Sequence, residues 1–154
     1  MLTKTAIDLA TAELVIEAGT RRAIEMGVPQ NLAVVDEAGH LVAFRRMDGA
    51  KFFSIEIAMA KAFTAAGARK ATRDIAPATQ PGEGGFGAQN LHTGRFTTLG
   101  GGIPLTTANG VVVGAIGVSS GSVAEDQAVA EAAAAYFGEY SSRSGADGKS
   151  PSGS

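Results

Sequence analysis

The chain has 154 residues, thirteen basic against fifteen acidic side chains, and a formal net charge of −2 at pH 7. This length suits one hydrophobic core, and so weak a charge gives no long-range attraction to nucleic acid or to anionic membranes. Since the sequence contains no cysteine, disulfides, thiolate catalysis and cysteine-based metal sites are excluded. The N-terminus lacks the apolar core of a signal peptide, which predicts a cytoplasmic protein.

The first part of the chain carries the pattern of a helix followed by a hairpin. Apolar residues at helical spacing predict a helix over residues 5–26, which Gly27 ends. Two short apolar runs, 31–35 and 40–44, then surround a turn that closes on Gly39. Such runs around a short turn predict an antiparallel hairpin.

The middle of the chain contains a second helix, a glycine-rich stretch and a second hairpin. The helix is expected to start near Ser54. Residues 77–102 hold few large apolar side chains, so they predict a long loop that is functional or mobile. The runs 103–107 and 111–118 flank an Asn-Gly pair at 109–110, and this pair predicts a tight turn in which both central residues have positive φ.

A capping box of Ser122 and Glu125 opens the last predicted helix, which is expected to run to about Tyr140. Residues 141–154 are rich in serine and glycine, and we expect a disordered tail there, after a single domain of residues 1–140. Two hairpins and three main helices in this order predict an α+β fold, in which helices pack on an antiparallel sheet.

The two histidines are candidates for chemistry. His92 lies in the glycine-rich stretch near Arg95, with Glu83 upstream. It could serve as a metal or haem ligand or as a general base, since the pKa of histidine is near neutral; an exposed loop residue is the alternative. His40 lies at the hairpin turn, where a structural role is expected. Two histidines cannot by themselves build a three-ligand metal site, so no metal centre is predicted.

Small and polar residues around the second hairpin form another candidate region. Ser119 and Ser120 lead into the start of the last helix, where free N–H groups and the helix dipole favour an anion unless the capping box takes up those donors. Gly101 and Gly102 precede the hairpin and either shape the entry of the strand or contact a ligand.

Two cationic side chains are further candidates for ligand binding. Lys61, on the second predicted helix, is either a solvated residue or part of a site. Arg46 follows the first hairpin, where it either pairs with Asp48 or holds an anionic group.

Several of these segments together resemble the GlcG/HbpS-like family, also called haem-degrading-domain proteins, which includes the C-terminal domain of PduO-type proteins. The similarity covers roughly residues 5–140 in the right order. The segments that carry it are 34–36, 39–43, 46–50, 54–65, 101–105, 114–119 and 125–126.

The resemblance implies a profilin-like α+β fold that assembles into homo-oligomers, as dimers and often as octamers. It also implies a small-molecule-binding domain, because some members bind haem and others are encoded beside glycolate, diol or aromatic catabolism. No family haem ligand can be matched to a residue of this chain.

Two functions remain open at this point, and whether the protein is an enzyme is open with them. In the first, the domain binds or handles haem, which needs an apolar slot, an axial ligand and cations for the propionates. The candidate ligands are His92, His40, Tyr136, Tyr140 and the methionines, with Lys61, Arg46 and Arg95 as propionate partners.

In the second, the protein is a hydrolase, deaminase or isomerase-like enzyme acting on an anionic carboxylate from aromatic or glycolate-type catabolism. Arg46 or Arg95 would hold the carboxylate, Lys61 or His92 would move the proton, and the glycine-rich loop would close as a lid. An accessory or scaffold protein with no chemistry is a third reading.

Overall fold

The computed structural model describes residues 1–146. Its helices and strands in chain order are α1 (Leu9–Met26), β1 (Asn31–Asp36), β2 (Leu41–Arg46), α2 (Ser54–Ala68), α3 (Thr72–Ile75), β3 (Gly102–Thr106), β4 (Val112–Ser119) and α4 (Val123–Ala146). The four strands form one antiparallel sheet in the order β2-β1-β4-β3, so each hairpin provides one edge strand and one central strand. This architecture confirms the predicted α+β fold.

The two faces of the sheet differ in side-chain size. Alternate residues of a strand point to opposite faces, and the larger ones of the central strands, such as Leu32 and Ile116, pack against α1 and α4. The opposite face carries small residues, among them Ala33 and Ala115, and these pack against α2. The protein therefore has three layers, with α2 on the small-residue face and α1 and α4 on the other.

Helix α2 lies against the sheet with almost no space between them. A Cβ atom added to Gly117 of β4 would overlap the main chain of α2 at Ala58 and Ala62. Both alanines are fully buried. This contact thus requires side chains no larger than a methyl group on both the helix and the sheet.

Both hairpins are confirmed, but the turn of the second differs from the predicted geometry. Gly110 has φ of +81°, whereas Asn109 stays at negative φ. Thr107 N–H bonds to the Val111 carbonyl and Gly110 N–H to the Thr107 carbonyl, so the connection is longer than a two-residue turn. Such a connection needs only one residue in the left-handed region.

The ends of α1 and α4 also depart from expectation. Asp8 caps α1 by accepting a hydrogen bond from the Thr11 N–H at 2.8 Å, so the helix begins at Leu9 rather than near residue 5. Helix α4 continues to Ala146, past the expected end at Tyr140. Residues 147–154 of the predicted disordered tail lie outside the described residues.

Among the helices of residues 1–146, none combines the length and the apolar character needed to cross a bilayer.

The contact between α2 and the sheet can be tested by adding one methyl group. Gly117→Ala is expected to lower the free energy of unfolding by about 3 kcal/mol, or to prevent folding, because the new Cβ would overlap the main chain of α2. Gly67→Ala is the control: in α2 nothing lies within 4 Å of its added Cβ, so helix propensity should raise stability by about 1 kcal/mol. Urea unfolding followed by circular dichroism measures both, and a Gly117→Ala variant as stable as the wild type would contradict this packing.

Candidate ligand-binding site

Two adjoining clefts lie on the outer face of α2, the face turned away from the sheet. One, of about 300 Å³, lies between α2 and the β1–β2 hairpin. The other, of about 470 Å³, lies between α2 and residues 89–99. Both are lined by Glu56, Ala60 and Arg95. The first cleft is also lined by Val35, Gly39, His40, Leu41, Met59 and Phe63.

Phe63 lies between the two charged or ionisable side chains predicted from the glycine-rich stretch. The guanidinium carbon of Arg95 is 4.1 Å from the centre of the Phe63 ring. The His92 ring meets the same ring edge-on, with 5.2 Å between centroids. His92 and Arg95 are therefore brought together, as the sequence suggested, around an aromatic residue that the sequence did not single out.

The backbone that carries Arg95 is unusual and firmly attached. His92, Thr93 and Gly94 have φ angles of +53°, +57° and +80°, three left-handed residues in succession. Left-handed conformations are costly for residues with a Cβ and persist only where other contacts impose them. Buried Thr64 supplies such contacts, since its hydroxyl donates to the Arg95 carbonyl at 3.2 Å and accepts from the Thr97 N–H at 3.0 Å.

His40 supplies the imidazole of the first cleft. Its side chain is 81% exposed, and its Nδ1 lies 3.7 Å from the Asp36 carboxylate, which leaves Nε2 free to bind a ligand. The Asp36 carboxylate also accepts a hydrogen bond from the His40 N–H at 2.9 Å and so fixes the turn. The hairpin thus presents His40 to the cleft that Arg95 reaches from the other side of α2.

Lys61 is buried inside the protein, with 1% of its side chain exposed. Its Nζ donates to the Val118 carbonyl and to the Asp126 carboxylate, both at 2.8 Å. Burial lowers the pKa of Lys61 from its ordinary value of 10.5, and the hydrogen bond and charge of Asp126 oppose that shift. The ammonium ties α2 to β4 and α4, and it does not line either cleft.

Gly101 and Gly102 lie beside this buried ion pair. A Cβ at Gly101 would meet the Val118 carbonyl oxygen at 2.6 Å and Lys61 Nζ at 3.1 Å. The Gly101 N–H donates to the buried side chain of Gln127 at 2.8 Å. These glycines let the start of β3 pass close to Lys61. Their role is therefore in packing at the strand entry.

The residues at the start of α4 are occupied by the protein's own groups. The hydroxyl of buried Ser120 accepts from the Lys51 N–H at 2.9 Å. The N–H groups of Gly121 and Ser122 donate to the carboxylates of Asp126 and Glu125, each at 2.9 Å. The Ser122 N–H lowers the pKa of the Glu125 carboxyl. The capping box is confirmed, and the Gly121, Ser122 and Glu125 N–H groups already have partners within the protein.

The remaining predicted site residues lie apart from the two clefts. Ser119 is buried at the end of β4, where it pairs with Asn31 of β1. Arg46 lies at the exposed end of β2 and pairs with the same Asn31 from the other side. Glu83 is exposed in the glycine-rich stretch. Across residues 1–146, no three metal-binding side chains come together.

The family of the chain follows from comparison with known proteins. A family model described as haem degrading protein HbpS-like matches residues 7–135. The chain belongs to the HbpS-like family. This confirms the resemblance carried by the sequence segments.

Individual relatives of this HbpS-like chain agree with the assignment. It is 40% identical over 133 residues to a 15.0 kDa protein of Citrobacter freundii from the dhaT-dhaS intergenic region, covering 86% of this chain and 93% of that one. The crystal structure of Klebsiella pneumoniae protein ORFY superposes with a TM-score of 0.85 at 35% identity, covering 89% and 94% of the two chains. A PduOC:heme complex superposes with a TM-score of 0.80 at 32% identity, covering 85% and 94%.

The buried ion pair makes a prediction about stability. Lys61→Met leaves the Asp126 carboxylate buried without its cation and is expected to lower the free energy of unfolding by about 3–5 kcal/mol. The double variant Lys61→Met/Asp126→Leu removes both charges and should recover most of that loss. Urea unfolding of the two variants tests this, and a double variant no more stable than the single one would contradict it.

A second prediction concerns the pH dependence of stability. Because the pKa of Lys61 is lower in the folded than in the unfolded chain, the folded protein releases this proton first as the pH rises. Between the lowered pKa and 10.5 the unfolded chain binds more protons, so Lys61 makes the free energy of unfolding increase with pH. Lys61→Met should lack this increase of the free energy of unfolding with pH. Lys70→Met, which changes an exposed lysine, should keep it. Urea unfolding across the alkaline range measures the slopes, and equal slopes for wild type and Lys61→Met would refute the assignment.

Proposed function

We propose that this HbpS-like domain binds haem on the outer face of α2. The observation that carries the proposal is that His40 and Arg95, from distant parts of the chain, line one cleft that apolar side chains also line. A family described as haem-degrading and a neighbour solved as a haem complex support it.

The residues present fit the chemical needs of haem. The His40 Nε2 is free to bind iron, and the half-buried thioether of Met59 lies in the same cleft. The side chains of Leu41 and Phe63 offer apolar contact for a macrocycle, and the Arg95 guanidinium offers a partner for a propionate. When bound, haem would supply an iron centre for redox chemistry or ligand binding, and the residues of the chain would hold and orient it.

The other candidate ligands are placed less favourably. Tyr136 and Tyr140 stack on each other along α4, which packs on the opposite face of the sheet. His92 contacts Phe63 from outside the two clefts and remains a second candidate for the iron ligand.

The alternative of an enzyme acting on an anionic carboxylate has one observation in its favour. His92 and Arg95 lie next to each other, so a carboxylate held by Arg95 would be within reach of an imidazole that can move a proton. Lys61, the other proposed proton carrier, is directed inward to Asp126. Turnover of small carboxylates by the purified protein, lost in His92→Ala, would favour this function over haem binding.

We also propose that the protein is a homo-oligomer. Phe52 and Phe53, immediately before α2, are 75% and 73% exposed, and Phe86 is 67% exposed. Large exposed aromatic side chains of this kind are typical of surfaces that another subunit covers.

A haemin titration followed by the Soret band tests the proposed function. The wild type should give a saturable, shifted band, and His40→Ala should weaken binding by about ten-fold or more, since even the loss of an outer partner of a metal ligand costs that much. His92→Ala is the matched control, because it removes an exposed imidazole beside the same phenylalanine and should leave the band in place.

The remaining outcomes of this titration are also decisive. A band lost in His92→Ala and kept in His40→Ala would move the iron ligand to His92. A broad signal that never saturates would contradict specific haem binding.

A further inference from the structure

We propose that the side chain of Arg95 is a removable partition between the two clefts, and that a flat anionic ligand displaces it. This inference rests on the proposed function, because it concerns the same site. Three residues line both clefts: Glu56, Ala60 and Arg95. Glu56 and Ala60 lie one turn apart on α2 and form the common floor, so Arg95 is the shared residue that reaches across from another segment.

The guanidinium of Arg95 is held weakly enough to move. It rests on the Phe63 ring, 4.1 Å from the ring centre, and its Nε makes a long hydrogen bond of 3.4 Å to the His92 carbonyl. Within the described part of the chain it forms no ion pair. A cation–π contact at an exposed site favours the stacked position by only about two- to five-fold. The displaced position is therefore populated even without a ligand.

The main chain below this side chain stays in place when the guanidinium moves. The hydroxyl of buried Thr64 holds the Arg95 carbonyl at 3.2 Å and the Thr97 N–H at 3.0 Å. The left-handed run that ends at Gly94 directs the Arg95 side chain back over Phe63. Opening thus requires a rotation of one side chain and no movement of the surrounding segment.

The partition gives the site a preference for one class of ligand. A molecule small enough for one cleft leaves Arg95 on Phe63, whereas a macrocycle that spans both clefts requires it to move. A carboxylate on that macrocycle offers the guanidinium a charge-assisted, bidentate partner that is stronger than the aromatic ring. Flat ligands that carry carboxylates, of which the porphyrins are the type, are favoured over smaller anions and over uncharged macrocycles.

Rapid mixing of haemin with excess protein tests this for wild type, Arg95→Ala and Arg95→Lys. Salt at about 0.5 M screens long-range attraction between the ligand and the protein. Arg95→Ala should associate about three- to six-fold faster, because the open fraction no longer limits binding, and should dissociate about ten-fold faster, because a carboxylate loses its partner. Arg95→Lys should share the faster association, since it lacks the planar group that stacks on Phe63, and should dissociate more slowly than Arg95→Ala.

If Arg95→Ala associates more slowly than the wild type and Arg95→Lys associates at the wild-type rate, then Arg95 only attracts the ligand. That result would overturn the partition. Equal association rates for all three proteins would overturn it too.

A measurement without ligand separates this inference from the proposed function. The Phe63 ring should shift the NMR signal of the Arg95 δ-methylene group upfield, and Phe63→Leu should abolish that shift. A shifted signal in a wild type that binds no haemin would support the stacked partition while the haem proposal fails. An unshifted signal would contradict the partition even if haemin binds.

Discussion

The distance between α2 and the sheet is the constraint on which the rest of the structure depends. Gly117 leaves no room for a side chain under Ala58 and Ala62, so the helix lies on the backbone of the central strand. At this short separation Lys61, from the same helix, reaches the Val118 carbonyl and the Asp126 carboxylate at the start of α4. The close packing and the buried ion pair therefore act together to join all three layers, and they leave the opposite side of α2 to form the floor of the clefts.

Local sequence signals predicted both hairpins and the three long helices, but not the short helix α3. Hydrophobic spacing indicated the helices, and the capping box of Ser122 and Glu125 placed the start of α4 correctly. The start of α1 was misplaced because the helical apolar pattern reaches back past Asp8. The Asp8 side chain caps the helix, so the helix begins only after it. The turn at Asn109 was misjudged because an Asn-Gly pair fits two hairpin geometries, and the longer connection places only the glycine at positive φ.

The site could be predicted only in part. Lys61 was open to two readings, although its spacing of three and four from Ala58 and Ala65 puts it on the stripe of small residues, where a charge must be buried and paired. His40 and Arg95 belong to separate segments of the chain, and no local pattern indicates that α2 brings them to one cleft. Their proximity is a product of tertiary packing, which is why sequence reasoning considered each of them singly.

The order of strands in the sheet has a consequence for how the chain folds. Each hairpin joins neighbouring parts of the sequence, so it can close early with little loss of chain entropy. The ladder between β1 and β4 instead joins the two halves of the protein, pairing Asn31 with Ser119, and it forms the middle of the sheet. The α2 surface becomes complementary to the sheet only after these two central strands lie side by side. We therefore expect docking of the two halves, rather than formation of either hairpin, to be the slow and cooperative event in the folding of this domain.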